Sequence, residues 1–441
     1  MPKLIIQEGY RLVGEFALPV GETTIGRGEE CALVLSPQGV SRLHVKLVRT
    51  DDVVTLTDQG SRNGTFLNGT PVTAAVQLKH MDVIQLGDAM LLYNEIDADD
   101  REQTVAGDVR GEGDEAQTFD LAYLKQVVDA VRSNIARVVM GKDEVVQKVL
   151  LALLSDGHVL LEDVPGVGKT KLAQALAKSI RTGFKRIQFT PDMLPSDVTG
   201  VNVYDEQAGQ FSFIPGPIFA NVILADEINR GTPRVQSSLL ECMSESMVTV
   251  DGRGYALRRP FFVIATQNPV EFHGTYPLPE AQLDRFLMRL RMGYPEAAVE
   301  QDVLSSQATS HPINSIRHVV HGTDILRCQA LARTVHVSDA VKDYIVTLVT
   351  ATRQHPALCY GCSPRASLAL MHTSQAMAAA LGRDYVLPRD VRDLAVNVLS
   401  HRVPLKMQAR AEFGGPEQVI RSIVEHLPLE RWDSGQKTTA R

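Results

Sequence analysis

The sequence predicts a multidomain protein with an N-terminal all-β sandwich, an α/β core that carries a phosphate-binding loop (P-loop), and an all-α region. Its 441 residues exceed the size of one ordinary domain. Short alternating apolar runs between turns rich in Gly, Asn and Asp fill residues 1–94, a pattern typical of β-sandwiches. After residue 118 the apolar residues follow a helical period, and short apolar strands ending in polar residues indicate a parallel sheet.

The composition is that of a globular protein, because 44% of the residues are hydrophobic and 22% are charged. It excludes collagen-like, mucin-like and wholly disordered chains. No run approaches about eighteen apolar residues, and the N-terminus lacks the apolar segment of a signal peptide, so we expect no membrane span and a cytoplasmic location. Five cysteines in so long a chain do not form a disulfide framework, which agrees with a reducing compartment.

The formal charge of −7 is concentrated in one segment. Residues 1–94 contain 8 Lys+Arg against 10 Asp+Glu, residues 95–120 contain 2 against 10, and residues 121–441 contain 35 against 32. The middle segment has almost no large apolar residue, so burial cannot offset the entropy lost on ordering it. We therefore predict a flexible acidic linker at 95–117. The near-neutral charge of both flanking units argues against binding of nucleic acid by bulk electrostatics.

Side chains suited to binding a phosphate recur in the turns of the N-terminal unit. These turns are Gly26-Arg27, Ser41-Arg42-Leu43-His44, Gly60-Ser61-Arg62-Asn63-Gly64-Thr65 and Asn68-Gly69. Loops at one end of a sandwich converge in space, so their basic, hydroxyl and amide groups can act on one ligand.

The order of these turns resembles the forkhead-associated (FHA) domain over nearly all of residues 1–94. The resemblance implies recognition of a phosphothreonine-containing protein, with Arg27 and Ser41 on the phosphate oxygens. It also implies that Arg42 and Asn63 contact the peptide backbone and shape the pocket around the threonine methyl group. Arg62 occupies a further peptide-facing loop position.

Three points around this resemblance are open. We expect His44 to brace the binding loop rather than to catalyse or to bind a metal. A degenerate FHA fold used only for protein contacts is an alternative to a binding-competent site. Thr104, in the acidic linker, would be a ligand at high effective concentration if it were phosphorylated.

The α/β core begins with a strand, a glycine-rich turn and a helix, the context in which a P-loop is credible. The turn is Pro165-Gly166-Val167-Gly168-Lys169-Thr170. Its backbone N–H groups would cradle the phosphates of ATP, Lys169 would meet the β/γ oxygens, and the Thr170 hydroxyl would reach Mg²⁺. The usual first glycine of this motif is Asp163 here.

Two further apolar strands end in polar residues. The strand in ANVILADEINR runs into Asp226 and Glu227, and the strand in FFVIATQNP runs into Asn268. One carboxylate can hold the Mg²⁺ shell and the other can polarise the attacking water, while Asn268 can orient that water.

Together these segments resemble the AAA+ ATPases, and more narrowly the MoxR family. The matching strings, which span roughly residues 118–430, are LLEDVPGVGKT, RIQFTPDMLPSDVTG, LADEINRGTPRVQSSLLECM, ATQNPVEFHGTYPLPEAQLDRF and CSPRA. The resemblance implies that Asp226 is the Walker B metal carboxylate, Glu227 the catalytic base and Asn268 the sensor-1 residue. It further implies that Arg285 is the arginine finger and Arg365 the sensor-2 arginine.

The arginine-finger role requires a ring. A cation supplied by a neighbouring subunit stabilises the charge that develops on the γ-phosphate, so we expect a self-associated ring, a hexamer in this family. Ser363 and Pro364 read as the N-cap and first residue of a helix, and Arg365 in its first turn opposes the helix dipole, which favours a ligand-facing role. The family also implies partners with von Willebrand factor A domains.

We place the domain boundaries at 118–294 for the α/β core, 295–430 for the helical lid and its extension, and 431–441 for a disordered tail. Two hairpins interrupt the core, at 197–217 and at 247–260.

The function predicted from the sequence is that of a chaperone-like ATPase that remodels or activates protein clients. A nucleic-acid motor or transcription activator is one alternative, but a GAFTGA-like loop and a C-terminal helix-turn-helix are not found in the sequence. A phosphopeptide scaffold with an idle ATPase is another. Cys359 and Cys362, with His355 nearby, have spacing that a metal site could use, although substituted loop cysteines are the simpler interpretation.

Overall fold

The structure is a computed structural model. The residues that it describes are 2–8, 11–28, 30–35, 39–50, 53–67, 70–78, 82–87, 89–94, 120–164, 166–205, 210–268, 275–307 and 312–433. Several sequence predictions lie outside these ranges, namely those for Asn68, Gly69, the linker at 95–117 with Thr104, Pro165, and the tail from 434 onwards. The chain divides into two compact units, one based on residues 1–118 and the other comprising 119–246 and 260–441.

The N-terminal unit is the predicted all-β sandwich. One antiparallel sheet has the strand order β2-β1-β11-β10-β7-β8, and the second has the order β4-β3-β5-β6-β9 with a parallel β3–β4 pair at its edge. The strands are β1 Lys3–Glu8, β2 Arg11–Ala17, β3 Gly21–Gly26, β4 Leu33–Val34, β5 Val45–Arg49, β6 Val54–Asp58, β7 Thr65–Leu67, β8 Thr70–Pro71, β9 Val76–Gln77, β10 Val83–Leu86 and β11 Ala89–Asn94.

The core of the sandwich follows the alternation of its strands. Val45 and Leu47 on β5 face the same side as Val54 and Leu56 on β6, and all four are buried. They pack in one cluster with residues of the other sheet, among them Tyr93. Burial of alternate residues from both sheets leaves the turns at one end to present polar side chains.

The α/β core of the larger unit is a five-stranded parallel sheet with the order β13-β16-β19-β12-β20. The three central strands β16, β19 and β12 are buried almost throughout, as expected for strands covered on both faces. The core strands are β12 Val159–Glu162, β13 Phe184–Gln188, β16 Val222–Asp226, β19 Phe262–Gln267 and β20 Met288–Leu290.

Helices surround this sheet and follow it in the chain. Helix α1 buries residues at helical spacing, and the Asp120 side chain caps it by accepting a 2.9 Å bond from the backbone N–H of Tyr123. The helices of the core are α1 Leu121–Ala136, α2 Asp143–Leu154, α3 Lys169–Ser179, α4 Pro195–Thr199, α5 Pro233–Glu245 and α6 Glu280–Leu283.

The C-terminal region is helical, as predicted. Its helices are α7 Ala297–Gln307, α8 Gly322–Thr334, α9 Asp339–Gln354, α10 Pro364–Ala380, α11 Pro388–Leu399, α12 Arg410–Phe413, α13 Pro416–Glu425 and α14 Glu430–Asp433. Trp432 is buried against Tyr344 of α9 and donates a 2.9 Å bond to Asp343.

Both predicted hairpins are present. The first pairs β14 Gly200–Asp205 with β15 Gln210–Pro215. The second pairs β17 Met247–Val250 with β18 Arg253–Ala256 through Asp251 and Gly252, which both have positive φ as a two-residue type I′ turn requires. Within the described ranges, none of the helices is both long and apolar enough to cross a membrane.

Candidate functional site

The P-loop joins the end of β12 to the start of α3. Gly166 and Gly168 have φ of +88° and +97°, values that favour glycine, and α3 begins at Lys169 directly after them. The buried Lys169 ammonium donates a 2.8 Å bond to the backbone carbonyl of Asp163. Burial lowers the pKa of Lys169, and the negative charge of Asp226 opposes this shift. The loop therefore presents N–H groups and a cation to one cleft.

Asp163, which stands where most P-loops have glycine, has a structural function. Its carboxylate accepts bonds from the backbone N–H groups of Met292 and Gly293, the second at 2.8 Å, and from Val164 at 3.2 Å. Met292 and Gly293 lie in the segment that follows β20. The side chain thus ties the first position of the P-loop motif to this segment.

The first carboxylate of the pair, Asp226, ends β16 and is held on both of its oxygens. Its Oδ1 accepts a 2.6 Å bond from the Thr266 hydroxyl on β19. Its Oδ2 accepts bonds from Arg186 of β13, at 3.0 Å from Nε and 2.6 Å from Nη2. Asp226, the carboxylate expected to bind the metal ion, is therefore paired with the guanidinium of Arg186 in this structure.

The second carboxylate, Glu227, has a left-handed backbone with φ of +54°, an uncommon conformation for a residue with a side chain. Its N–H donates a 2.8 Å bond to the Thr266 hydroxyl, which fixes this turn against β19. Its Oε2 accepts bonds from the Gln188 amide at 2.9 Å and from Arg230 at 3.1 Å.

These groups line one cleft of about 290 Å³. Its lining residues are Gly166, Gly168, Lys169, Thr170, Lys171, Arg186, Asp226, Glu227 and Asn268. Every described P-loop residue named from the sequence is in this set apart from Val167, which packs against the core.

The cleft residues fit a nucleotide with Mg²⁺. A hydroxyl on Thr170 and a carboxylate on Asp226 are oxygen donors of the kind that Mg²⁺ prefers. A Cβ added at Gly166 would meet no atom within 4 Å, so the conformation of the loop, rather than crowding, is what requires glycine there. Positive φ at two glycines turns successive N–H groups toward one point, which is the arrangement that binds phosphate.

Arg285 and Arg365 are not among the residues that line the cleft. The exposed Arg285 guanidinium donates a 2.6 Å bond to the carbonyl of Leu240. Arg365 lies 4.0 Å from the carboxylate of Asp284, with 58% of its side chain exposed. Both predicted arginines therefore lie outside the cleft of their own chain.

The start of α10 agrees only partly with the sequence prediction. Ser363 and Pro364 are the N-cap and the first helical residue, but the Ser363 hydroxyl makes no capping bond. It donates instead to the carboxylate of Asp284, at 3.3 Å. The capping prediction is right in position and wrong in the hydrogen bond, because a carboxylate from the core lies within reach.

The cysteine loop shows no sign of a metal centre. Cys359 is exposed and Cys362 is buried, and burial raises the pKa of the Cys362 thiol to about 11. Among the residues that the structure describes, no group of three or more His, Cys, Asp or Glu side chains could hold a metal ion.

In the N-terminal unit, the predicted phosphate-binding residues lie on three neighbouring loops. The backbone N–H of Arg27 donates to the Ser41 carbonyl at 2.9 Å, and the N–H of Arg62 donates to the Ser41 hydroxyl at 3.0 Å. The Asn63 amide donates to the carbonyl of Gly39 at 3.0 Å. Arg27, Arg42, Arg62 and Asn63 are exposed, so the loops present three arginines beside one hydroxyl.

Buried groups hold these loops in place. Nδ1 of the fully buried His44 accepts a 3.1 Å bond from the N–H of Ser41, and its Nε2 lies 3.2 Å from the carbonyl of Gly64, which is the bracing role expected for it. A Cβ at Gly26 would lie 2.1 Å from the Arg42 carbonyl, so only glycine fits there.

Asp58 organises the loop that carries Arg62 and Asn63. Its carboxylate accepts bonds from the N–H of Gly60 at 2.9 Å, from the N–H and hydroxyl of Ser61 at 3.0 and 2.6 Å, and from the Thr65 hydroxyl. Burial raises the pKa of Asp58, but the hydrogen bonds from Ser61 and Thr65 outweigh it and hold the pKa below its ordinary value.

The sequence interpretation missed Arg186 and Lys171, which line the cleft, and Gln188 and Thr266, which hold its two carboxylates. Arg186 and Gln188 are polar residues two apart on a core strand, a spacing that places them on one face. This alternation could have indicated that both side chains face the cleft. Their partners Asp226 and Glu227, however, become evident only when β13 pairs with β16.

Comparison with family models matches three parts of the chain. Residues 158–288 match the model of the ATPase family associated with various cellular activities (AAA), and residues 350–423 match the AAA lid domain. Residues 23–87 match the FHA domain.

Similar proteins cover the larger unit over most of their own length. The Bacillus subtilis protein YeaC is 53% identical over 300 residues, which are 68% of this chain and 94% of YeaC. Chaperone MoxR1 of Mycobacterium tuberculosis is 41% identical, over 67% of this chain and 80% of MoxR1. Protein MoxR of Methylorubrum extorquens is 30% identical, over 67% and 93%. The crystal structure of an ATPase candidate from Cytophaga hutchinsonii matches 70% of this chain and 96% of its own, at 39% identity and a TM-score of 0.65.

Proposed function

The chain belongs to the MoxR family of AAA+ ATPases and carries an FHA domain, and from this premise we propose a specific activity. The protein forms a ring that hydrolyses ATP with Mg²⁺ and uses the cycle to remodel or activate protein clients. Its FHA domain binds a phosphothreonine-containing protein and thereby recruits the client or regulates the ring.

One observation carries the ATPase part of the proposal. A single cleft contains a glycine-rich loop with two positive φ angles, the Lys169 ammonium, the Thr170 hydroxyl, two adjacent carboxylates and Asn268. This is the set of groups that phosphoryl transfer to water requires.

The roles within the cleft follow from chemistry. Lys169 and the loop N–H groups bind the phosphates, and Thr170 and Asp226 would hold Mg²⁺. Mg²⁺, when bound, neutralises charge on the β- and γ-phosphate oxygens. Glu227 accepts the proton of the attacking water, and Asn268 orients that water.

The position of the two arginines supports a ring. Arg285 is exposed and lies outside its own cleft, as a residue that acts on the site of a neighbour must. Arg365 sits at the start of α10 beside Asp284, the residue that precedes Arg285. A head-to-tail contact between subunits repeats around a closed ring and would supply one arginine finger to every site.

An exposed apolar surface supports contact with a protein client. The hairpin β14–β15 exposes Val201, Val203 and Ile214, and near its turn Tyr204 packs on Phe211 with ring centroids 5.2 Å apart and Phe211 71% exposed. A folded protein that exposes several large apolar side chains on one hairpin presents a candidate interaction site. The name Chaperone MoxR1, borne by a relative at 41% identity, agrees with such a role. The family resemblance adds partners with von Willebrand factor A domains to this proposal.

A client trap tests the proposal. Glu227→Gln keeps the nucleotide-binding groups but removes the base, so the ring should hold ATP and its client together. Proteins that co-purify with Glu227→Gln should be absent from Lys169→Ala, which cannot form the ATP state. Adding Arg27→Ala to the trap should remove those recruited through phosphothreonine, and adding Phe211→Ser should remove those bound by the hairpin.

An empty trap with a fully formed, ATP-loaded ring would contradict the chaperone function. An unchanged set of captured proteins after Arg27→Ala would contradict recruitment by phosphothreonine.

A further inference from the structure

Arg186 lies on the edge strand of the core sheet, at a position that faces the nucleotide cleft. It alternates with Ile187, which is 2% exposed and packs into the core, so Arg186 and Gln188 lie on the opposite face of β13. Parallel pairing brings Gln188 level with Asp226 on the neighbouring strand β16. The strand register therefore brings an arginine beside a carboxylate that the chain places 40 residues further on.

The guanidinium makes its bonds to a single oxygen of Asp226. Nε and Nη2 of Arg186 both donate to Oδ2, while Oδ1 is already used by the Thr266 hydroxyl. Nη2 also donates to the side-chain oxygen of Gln188, which fixes the direction in which the guanidinium points. Asp226 consequently has both oxygens engaged by side chains of its own chain.

Burial makes this pair stronger than an ordinary surface ion pair. The Asp226 side chain is 12% exposed and that of Arg186 is 48% exposed, so the carboxylate is largely shielded from water. Lys169 and Lys171 also line the cleft, and the Lys169 ammonium donates its hydrogen bond to the Asp163 carbonyl. Arg186 is the cation that pairs directly with the Asp226 carboxylate in the structure.

We propose that Arg186 is a positioning residue that competes with Mg²⁺ for Asp226 and so sets the Mg²⁺ concentration at which the site binds nucleotide. A divalent cation that binds Oδ2 must displace the guanidinium, and a cation at either oxygen of Asp226 binds against the positive charge of Arg186. Both effects have the same sign, because each weakens Mg²⁺ binding while Arg186 is present. The inference rests on the proposed function, since it assumes that Asp226 serves Mg²⁺ with a nucleotide.

The test is the free Mg²⁺ concentration at which binding of mant-ADP, a fluorescent nucleotide, is half-enhanced, measured by anisotropy with the full chain. ADP is used so that hydrolysis plays no part. Arg186→Gln should lower this midpoint about fivefold, the effect of one partly shielded charge-assisted pair. Arg186→Lys keeps the charge but loses the paired donors, so its midpoint should lie between those of the wild type and Arg186→Gln.

Lys185→Gln is the matched control. It removes one positive charge from the adjacent residue of the same strand, which is exposed and does not line the cleft. We expect its midpoint to stay within about twofold of the wild type, since solvent screens a charge outside the cleft.

The results separate the inference from the proposed function. A midpoint for Arg186→Gln that equals that of Lys185→Gln, or exceeds that of the wild type, would overturn the competition. Loss of mant-ADP binding in Arg186→Gln both with and without Mg²⁺ would also overturn it and would make Arg186 a nucleotide ligand. Failure of the wild type to bind mant-ADP would instead refute the proposed function, and the inference with it.

Discussion

The carboxylate of Asp163 accepts a 2.8 Å hydrogen bond from the backbone N–H of Gly293, a residue 130 positions later in the chain. A second bond from the N–H of Met292 reaches the same oxygen. Asp163 directly follows β12, and Met292 and Gly293 lie in the segment that follows β20 at the edge of the sheet. Asp163, which replaces the usual P-loop glycine, therefore joins the end of β12 to the segment that leads to the lid.

Replacing Asp163 should destabilise the larger unit. Asp163→Ala leaves the buried N–H of Met292 and the partly buried N–H of Gly293 without their acceptor, which should lower the free energy of unfolding by about 2 kcal/mol. The protein has one tryptophan, Trp432, buried in this unit, so urea unfolding followed by its fluorescence measures the change. Asp163→Asn, which keeps one acceptor oxygen, should lose less. Equal unfolding midpoints for wild type and Asp163→Ala would show that these bonds contribute nothing.

Binding of phosphothreonine should depend on Arg27 and Ser41. Arg27→Ala and Ser41→Ala each remove a donor to the phosphate, so each should weaken binding of a phosphothreonine peptide at least about tenfold. Titration calorimetry with the phosphorylated and unphosphorylated peptide measures this. Lys46→Ala removes an equal charge from β5, where Lys46 pairs with Glu22, and should change the affinity little. If Lys46→Ala weakened binding as much as Arg27→Ala, the effect would be one of net charge and not of a site.

The stability of the larger unit should fall in mild acid because of two buried histidines. Burial lowers the pKa of His158, and burial together with the charge of Arg402 lowers the pKa of His401 well below the ordinary 6.5. Both rings therefore bind protons more weakly in the folded protein than in the unfolded chain, whose histidines take up protons below about pH 6.5. The free energy of unfolding should therefore decrease as the pH falls below this value, by up to about 1.4 kcal/mol per pH unit for each histidine.

Urea unfolding followed by Trp432 fluorescence at pH 7.5 and 5.5 measures this dependence. His401→Gln removes one of the two titrating groups, so its stability should change less between the two pH values than that of the wild type. Identical pH slopes for the two proteins would contradict the assignment to His401.

The sequence was sufficient where a function depends on consecutive residues. The P-loop residues lie within five consecutive positions, from Gly166 to Thr170, and the two carboxylates Asp226 and Glu227 follow one apolar strand. Local sequence patterns therefore predicted the P-loop and the carboxylate pair. The all-β sandwich was predictable for the same reason, since alternation and turn residues are local signals.

The rest depended on contacts between distant parts of the chain. Arg186 meets Asp226 only through the register of two parallel strands, and Asp163 meets Gly293 only after the sheet is complete. The Ser363 hydroxyl was expected to cap its helix, but it bonds Asp284 because tertiary packing brings that carboxylate close. Periodicity cannot indicate such partners, because many strand orders and packings satisfy the same pattern.

Arg285 should act on the site of a neighbouring subunit. Arg285→Ala alone should hydrolyse ATP at least about 100-fold more slowly, because the γ-phosphate charge lacks its second cation. Lys169→Ala is inactive at its own site but retains Arg285. Mixing the two variants in equal amounts should restore activity at about a quarter of the interfaces, those in which an intact finger faces an intact cleft.

A mixture of Lys169→Ala with Asp226→Asn is the control for this experiment, since both variants damage the same cleft and no interface can recover. Phosphate release by the Arg285→Ala mixture that does not exceed the mean of its two components would show that Arg285 does not act between subunits.

The central claim is that the cleft around Lys169, Asp226 and Glu227 hydrolyses ATP. The most direct measurement is steady-state phosphate release by the full-length wild type and by Lys169→Ala at equal protein concentration with saturating Mg²⁺ and ATP. The account predicts turnover by the wild type and a rate at least about 100-fold lower for Lys169→Ala, since the ammonium is the cation that meets the β/γ oxygens. Equal rates for the two proteins would contradict it.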